Sequence, residues 1–205
     1  AWGRILGMEL RGLGINMNFA PVLDVNNNPA NPVINTRSFG PDPATVAILG
    51  AAYIEGLQEA GCMAVCKHFP GHGDTGVDSH LSLPVMTYDL ERLKTVEWVP
   101  FARAIKSNVA GVMTAHISFP AILGNGDPAT LSSFFLTDTL RGTMKYRGLV
   151  ITDDMEMKGV SSGREPGEAA VRAVRAGADI ILLSSWDHGP VMYRAILDAV
   201  RRGEI

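Results

Sequence analysis

Five short apolar runs each end in a polar cluster and are then followed by a helix-sized segment. No other feature narrows the choice of fold as much. Residues 15–23, interrupted by Asn16 and Asn18, end at Asp24, and residues 63–66 lead to Lys67 and His68. Residues 109–113 lead to Thr114 and His116, residues 149–151 to Thr152, Asp153 and Asp154, and residues 180–183 to Ser184, Ser185, Trp186, Asp187 and His188. Buried strands alternating with helices form parallel α/β sheets. Polar residues that follow the strands match a (β/α)8 TIM-type barrel, whose chemistry collects at the carboxyl ends of its strands. A doubly wound sheet shows the same bias at its switch point. No G-x-G-x-x-G follows a strand here, which disfavours a nucleotide-binding sheet. A barrel needs eight strands and about 250 residues. This chain of 205 residues opens directly into a helix carrying Ile5, Leu6, Leu10 and Leu13. The expectation is one partial barrel domain over residues 1–205, lacking amino-terminal strands and a carboxyl-terminal tail.

Helix punctuation supports this order. Asp42 is placed to cap a helix that begins at Pro43, carries Val46, Leu49, Tyr53 and Leu57 as an apolar stripe, and ends before Gly61. Pro166 opens another, with Val171 and Val174, closed by Gly177. Pro100 is expected to break the segment after Asp89 into two pieces, the second carrying Phe101 and Ile105.

Hydrophobic residues make up 46% and charged residues 19%, a balance that favours a packed core over disorder. No apolar run reaches the roughly 18 residues of a membrane span. A net charge of −3 and a pI near 5.9 supply no basic footprint for nucleic acid or an anionic membrane. Cys62 and Cys66 lie four apart on a strand, about 13 Å at roughly 3.3 Å per residue. A disulfide needs Cα atoms within about 7 Å, so both are expected to be small core residues. The compartment stays open: a cytoplasmic site is slightly favoured, with a secreted or cell-envelope site allowed because an amino-terminal segment is expected to be missing. Oligomeric state is not fixed by the sequence.

The densest chemistry lies in residues 67–80, KHFPGHGDTGVDSH, with one lysine, three histidines, two aspartates and three glycines. Three uses compete for it. His68, His72, Asp74, Asp78 and His80 are all competent metal ligands, although Pro70, Gly71 and Gly73 rule out a helical metal motif. Lys67 and His68 could instead clamp the hydroxyls of a polar ligand. In the third reading Asp78 orients His80, two residues on, for proton transfer.

This run resembles the signature of bacterial β-N-acetylglucosaminidases of glycoside hydrolase family 3. The likeness extends over nearly the whole chain, through GINMNFAPVLDVN at 14–26, RSFGPDP at 37–43, VMTAHISFP at 112–120, PATLS at 128–132 and VITDDMEM at 150–157. It implies retaining removal of terminal β-linked N-acetylglucosamine from cell-wall fragments or chitooligosaccharides, without metal or cofactor and with a carbohydrate as the partner. Asp153 would be the nucleophile that forms a covalent glycosyl-enzyme. Asp78 and His80 would be a dyad with the histidine as general acid and then base. Arg37, Lys67 and His68 would bind sugar hydroxyls. The family's sugar-binding aspartate in an Asp-x-Glu-Gly-Gly context has no counterpart here.

The chemistry is compatible with those roles. A retaining glycosidase needs a carboxylate on one side of the anomeric carbon and a proton donor on the other. An imidazole, with an unperturbed pKa near 6.5, can serve as that donor beside a carboxylate. Successive residues after a strand point to opposite sides, so one of Asp153 and Asp154 faces the site. The motif selects Asp153 and leaves Asp154 as an acceptor or cap. His116 and Met155 are further pocket residues, each with ordinary core packing as its alternative. His72 and Asp74 are expected to stabilise the loop, and Asp24 to cap or turn the chain. Two other functions stay open: a noncatalytic sugar-binding relative that keeps the Arg37, Lys67 and His68 clamp, and a metal-dependent hydrolase.

Overall fold

The computed structural model describes residues 1–161 and 163–205, and the chain divides into two compact units. The first comprises residues 1–76 and 89–113, the second residues 77–88 and 114–205.

In the first unit, α1 (Trp2–Gly12) precedes the short strand β1 (Met17–Asn18), and α2 (Pro43–Glu59) precedes β2 (Met63–Phe69). β1 pairs in parallel with β2, Met17 opposite Met63 and Asn18 opposite Ala64, and β2 is followed in the sheet by β3 (Gly111–Thr114). The architecture is the expected parallel α/β class of a partial barrel. Asp42 caps α2 as expected, its carboxylate accepting the Thr45 amide at 2.8 Å with Pro43 in the first turn. Gly61 follows the helix at φ 83°.

The buried face of α2 differs from the expected stripe. Val46 and Leu57 are fully buried, but Leu49 is 45% exposed and Ala47, Gly50, Ala51 and Ile54 supply the rest of the face. The cause is close packing of α1 on α2: a Cβ on Gly3 would collide with the Tyr53 carbonyl, and one on Gly56 would sit 2.8 Å from the Arg4 amide nitrogen. Small residues therefore occupy the contact, and Trp2, Ile5 and Leu13 of the amino-terminal segment face outward. Pro100 does not break its helix. Residues 90–106 stay helical, with wide π turns over Leu93–Glu97 just before the helix Trp98–Lys106. The altered turns absorb a residue that has no N–H to donate.

The core of this unit gathers Leu23, Ile54, Val65, Phe69, Phe101 and Val112, all fully buried. Phe69 stacks edge-on against Phe101, centroids 5.4 Å apart. Cys62 and Cys66 are buried free thiols, and burial pushes the Cys66 thiol far up.

The second unit holds β4 (Leu149–Ile151) and the helices Pro166–Ala176 and Gly189–Arg201, over a core of Phe119, Phe135, Leu140, Val150 and Ile151. The fifth expected strand is reduced to a single parallel bridge, Ile151 to Ile180. A side chain takes over its next rung: the Leu182 amide donates to Thr152 Oγ1 at 2.9 Å instead of to a carbonyl. The direction of the chain is kept although a regular ladder is not.

Candidate active site

β2 extends further than its apolar run suggests, so Lys67 and His68 are strand residues at its carboxyl end. Val22 bridges to Lys67 in parallel, and Asp24 follows two residues later. The Asp24 carboxylate is completely buried and is the hub of the first unit. Its Oδ2 meets His68 Nδ1 at 2.7 Å, while Oδ1 accepts the His68 amide at 3.2 Å and the His72 amide at 2.7 Å. Burial alone would push this carboxyl up, but the attraction and ring hydrogen bond of His68, with His72, hold it below the usual carboxylate range. Sequence reasoning treated Asp24 as a turn residue. Its one available signal was its place at the end of a buried strand.

The loop beyond β2 is closed by its own polar groups. His72 is buried, with Nδ1 2.7 Å from Thr75 Oγ1. Asn31 donates to the His72 and Gly73 carbonyls at 2.9 Å each, and its oxygen accepts the Val33 and Ile34 amides. A Cβ on Gly73 would collide with the Val25 carbonyl, so the chain passes there only without a side chain. Asp74 meets Arg92 at 3.4 Å, and Arg92 also pairs with the buried Glu97 at 3.0 Å. Burial raises the Glu97 carboxyl above its ordinary value despite Arg92. Among the expected hydroxyl-binding residues, His68 is buried on Asp24, Lys67 is half-buried, and Arg37 is exposed with its guanidinium donating to the Val33 carbonyl at 3.3 Å.

In the second unit the structure puts Asp78 and His80 in contact. Asp78 Oδ1 accepts the His80 amide at 2.9 Å and meets its Nδ1 at 2.7 Å. One carboxylate oxygen thereby sets both the backbone turn and the ring, directing Nε2 away from the aspartate. The side chains remain 60% and 31% exposed. The intervening Ser79 is buried, and its carbonyl accepts the Gly159 amide at 3.0 Å.

Gly159 lies six residues beyond Asp153, and the stretch between them is tightly organised. Asp153 is half-buried, with Oδ1 accepting the Asp154 amide at 2.9 Å. Asp154 is turned to structural donors, the Glu156 amide at 3.0 Å and the Ser184 amide at 3.1 Å, consistent with an acceptor role. Met155 is buried, and its amide donates to the Leu182 carbonyl. His116 is fully buried, with Nδ1 2.9 Å from Thr130 Oγ1 and Nε2 2.9 Å from the Asp154 carbonyl. Glu156, which sequence reasoning left without a role, accepts from the Ser185 hydroxyl and amide and from Ser184, and pairs with His188 at 3.1 Å. The Ser185 hydroxyl is the main reason its carboxyl falls to about 2. The polar quartet after residue 183 was visible in the sequence; that it holds Glu156 was not.

Among the described residues no three His, Cys, Asp or Glu side chains gather in a way that could hold a metal ion. Nor, among them, is any helix long and apolar enough to cross a membrane.

The glycosyl hydrolase family 3 N-terminal domain model matches residues 1–205. The chain belongs to glycosyl hydrolase family 3. Within the family it is 43% identical over 189 residues to beta-hexosaminidase A of Pseudoalteromonas piscicida, covering 87% of this chain and 32% of that protein. It is 39% identical over 204 residues to beta-hexosaminidase LpqI of Mycobacterium tuberculosis, covering 97% and 52%. The fold superposes on a family 3 beta-N-acetylglucosaminidase from Paenibacillus sp. str. FPU-7 with TM-score 0.97 and 51% identity, over 99% of this chain and 39% of that one. The beta-N-acetylglucosaminidase of Thermotoga maritima gives TM-score 0.88 at 36% identity, over 100% and 43%. The family 3 segment thus spans between a third and about a half of the relatives it matches here.

Proposed function

We propose that this family 3 protein is a retaining β-N-acetylglucosaminidase, acting on terminal β-linked N-acetylglucosamine in cell-wall fragments or chitooligosaccharides. The names of its relatives supply the sugar, and the chemistry of the second unit supports the mechanism. The observation that carries the reading is the Asp78–His80 pair. With Nδ1 against a carboxylate at 2.7 Å, the ring is in the orientation a general acid needs, and Nε2 is the atom that exchanges the proton.

In the first step Asp153 attacks the anomeric carbon while His80 Nε2–H protonates the departing oxygen, leaving a glycosyl-aspartate and a neutral imidazole. In the second, His80 takes a proton from water as that water displaces Asp153, restoring both groups. Asp78 compensates the imidazolium in the resting state and keeps the ring aimed. Arg37, Lys67 and His68 are assigned to sugar hydroxyls by their place in the family motifs, with Asp24 holding the His68 ring.

A fluorinated N-acetylglucosaminide that traps the intermediate should label the peptide containing Asp153, and Asp153→Ala should abolish turnover of an aryl β-N-acetylglucosaminide. Labelling of any other carboxylate would overturn the assignment. The acceptor is also open to test, because one similar structure is a beta-glucoside phosphorylase, BglX, at 26% identity and TM-score 0.91. Release of free N-acetylglucosamine, unchanged by added phosphate, is the result expected of a hydrolase.

A further inference from the structure

His116 is a buried titratable group that the two catalytic steps leave unused, and its surroundings join the two segments they depend on. Its Nε2 lies 2.9 Å from the carbonyl of Asp154, the residue whose amide donates to Asp153 Oδ1 at 2.9 Å. On the other side, a Cβ added to Gly159 would stand 3.0 Å from the His116 Cβ, so Gly159 lies against it. The Gly159 amide is the donor to Ser79, between Asp78 and His80. His116 therefore meets both segments, its ring at the Asp154 carbonyl and its Cβ and main-chain carbonyl against Gly159, the glycine that holds the acid/base loop.

Proton accounting fixes Nε2, and burial decides Nδ1. A carbonyl only accepts, so Nε2 must carry a hydrogen. Thr130 Oγ1 sits 2.9 Å from Nδ1 and 2.8 Å from Thr114 Oγ1. Thr130 has one hydrogen and two acceptors for it, Nδ1 and the Ala115 carbonyl at 3.0 Å; directed at Nδ1, with Thr114 donating to Thr130, it leaves the ring as the neutral Nε2–H tautomer. A fully buried imidazole favours that form because burial disfavours charge.

We propose that His116 is a positioning residue, held neutral by Thr130, which sets Asp153 and the Asp78–Ser79–His80 turn in their working relation. The inference rests on the retaining mechanism proposed above. Its test compares two amides in the full protein. Glutamine can place an N–H where Nε2 stands, whereas asparagine reaches only as far as Nδ1. His116→Gln should keep kcat within about threefold of the parent. His116→Asn should lose on the order of 10²-fold in kcat with little change in KM, as expected for misplaced reacting groups. Because the lost bond holds the nucleophile's segment, while Gly159 rests on atoms that asparagine keeps, good and poor leaving groups should suffer alike.

Equal losses in the two variants, or full activity in His116→Asn, would overturn the proposal. Should either variant fail to fold, nitrogen NMR of the parent imidazoles decides it. His116 should show hydrogen on Nε2 alone and no titration between about pH 5 and 8, the range in which an ordinary histidine changes charge. A titrating or Nδ1-protonated ring refutes the assignment. A parent that turns over no β-N-acetylglucosaminide defeats the functional reading instead, and the NMR result still judges the tautomer.

Discussion

Two histidines in this protein meet an aspartate through Nδ1 at the same distance, 2.7 Å, and each also donates its amide to that aspartate, yet the pairs sit in opposite surroundings. His68 and Asp24 are 6% and 0% exposed; His80 and Asp78 are 60% and 31% exposed. The buried carboxylate joins residues 44 and 48 positions away and is held by backbone amides as well as a ring. The exposed one accepts the amide and meets the ring of the residue two positions on, within its own turn. Burial makes a change of charge expensive, so the first pair suits a fixed wall that presents His68 in one orientation. Exposure leaves the second pair open to solvent and to a ligand, as proton transfer to a substrate requires. The contact is the same, and its surroundings determine which chemistry it can serve.

The sharpest way to break this comparison is to remove each aspartate. Asp24→Ala should cost about 3–5 kcal/mol of folding stability, because amides and a ring lose their buried acceptor. Asp78→Ala should cost no more than about 1 kcal/mol. Equal shifts in the urea midpoint would sink the contrast. Activity should rank them differently. Asp78→Ala and His80→Ala are expected to lose about 10²- to 10⁴-fold on substrates with poor leaving groups, and far less on dinitrophenyl glycosides that need no proton. Uniform loss across leaving groups would remove His80 as the acid.

Acid sharpens the difference further. Asp24 is held below its unfolded value, so its stabilising contacts are complete above about pH 4 and fade as pH falls through the depressed folded value. Asp24→Asn should therefore flatten the acid limb of a Tm-against-pH curve. Glu97, raised by burial, acts in the opposite sense, favouring the fold below its unfolded value and losing that contribution as pH rises. The smallest effect expected is from salt. Half-molar sodium chloride, a Debye length of about 4 Å, should narrow the activity gap between parent and Asp78→Asn by about twofold. The stability gap of Asp24→Asn should barely change.

Much of this was legible in the sequence because it is local. The order of strand, polar cluster and helix, the Asp42 cap, the thiol burial and the two-residue spacing of Asp78 and His80 all act over a few positions. The role of Asp24 was not legible, since its partners lie more than forty residues away and an aspartate at a strand end looks like any turn former. The Leu49 stripe failed because glycine contacts between α1 and α2 reset which face is buried. Pro100 failed because widened turns can carry a proline that a regular helix cannot. The fifth strand was found in direction but not in regularity, a hydroxyl of Thr152 having taken one rung.

The bare backbone at Gly73 has a practical consequence for anyone surveying this molecule by saturation mutagenesis. Every replacement there forces a carbon into the Val25 carbonyl, so position 73 should score as intolerant as a nucleophile although it has no side chain to react. Read without coordinates, such a profile would add a false member to the catalytic set. A thermal-shift measurement beside each activity value separates the two kinds of silence.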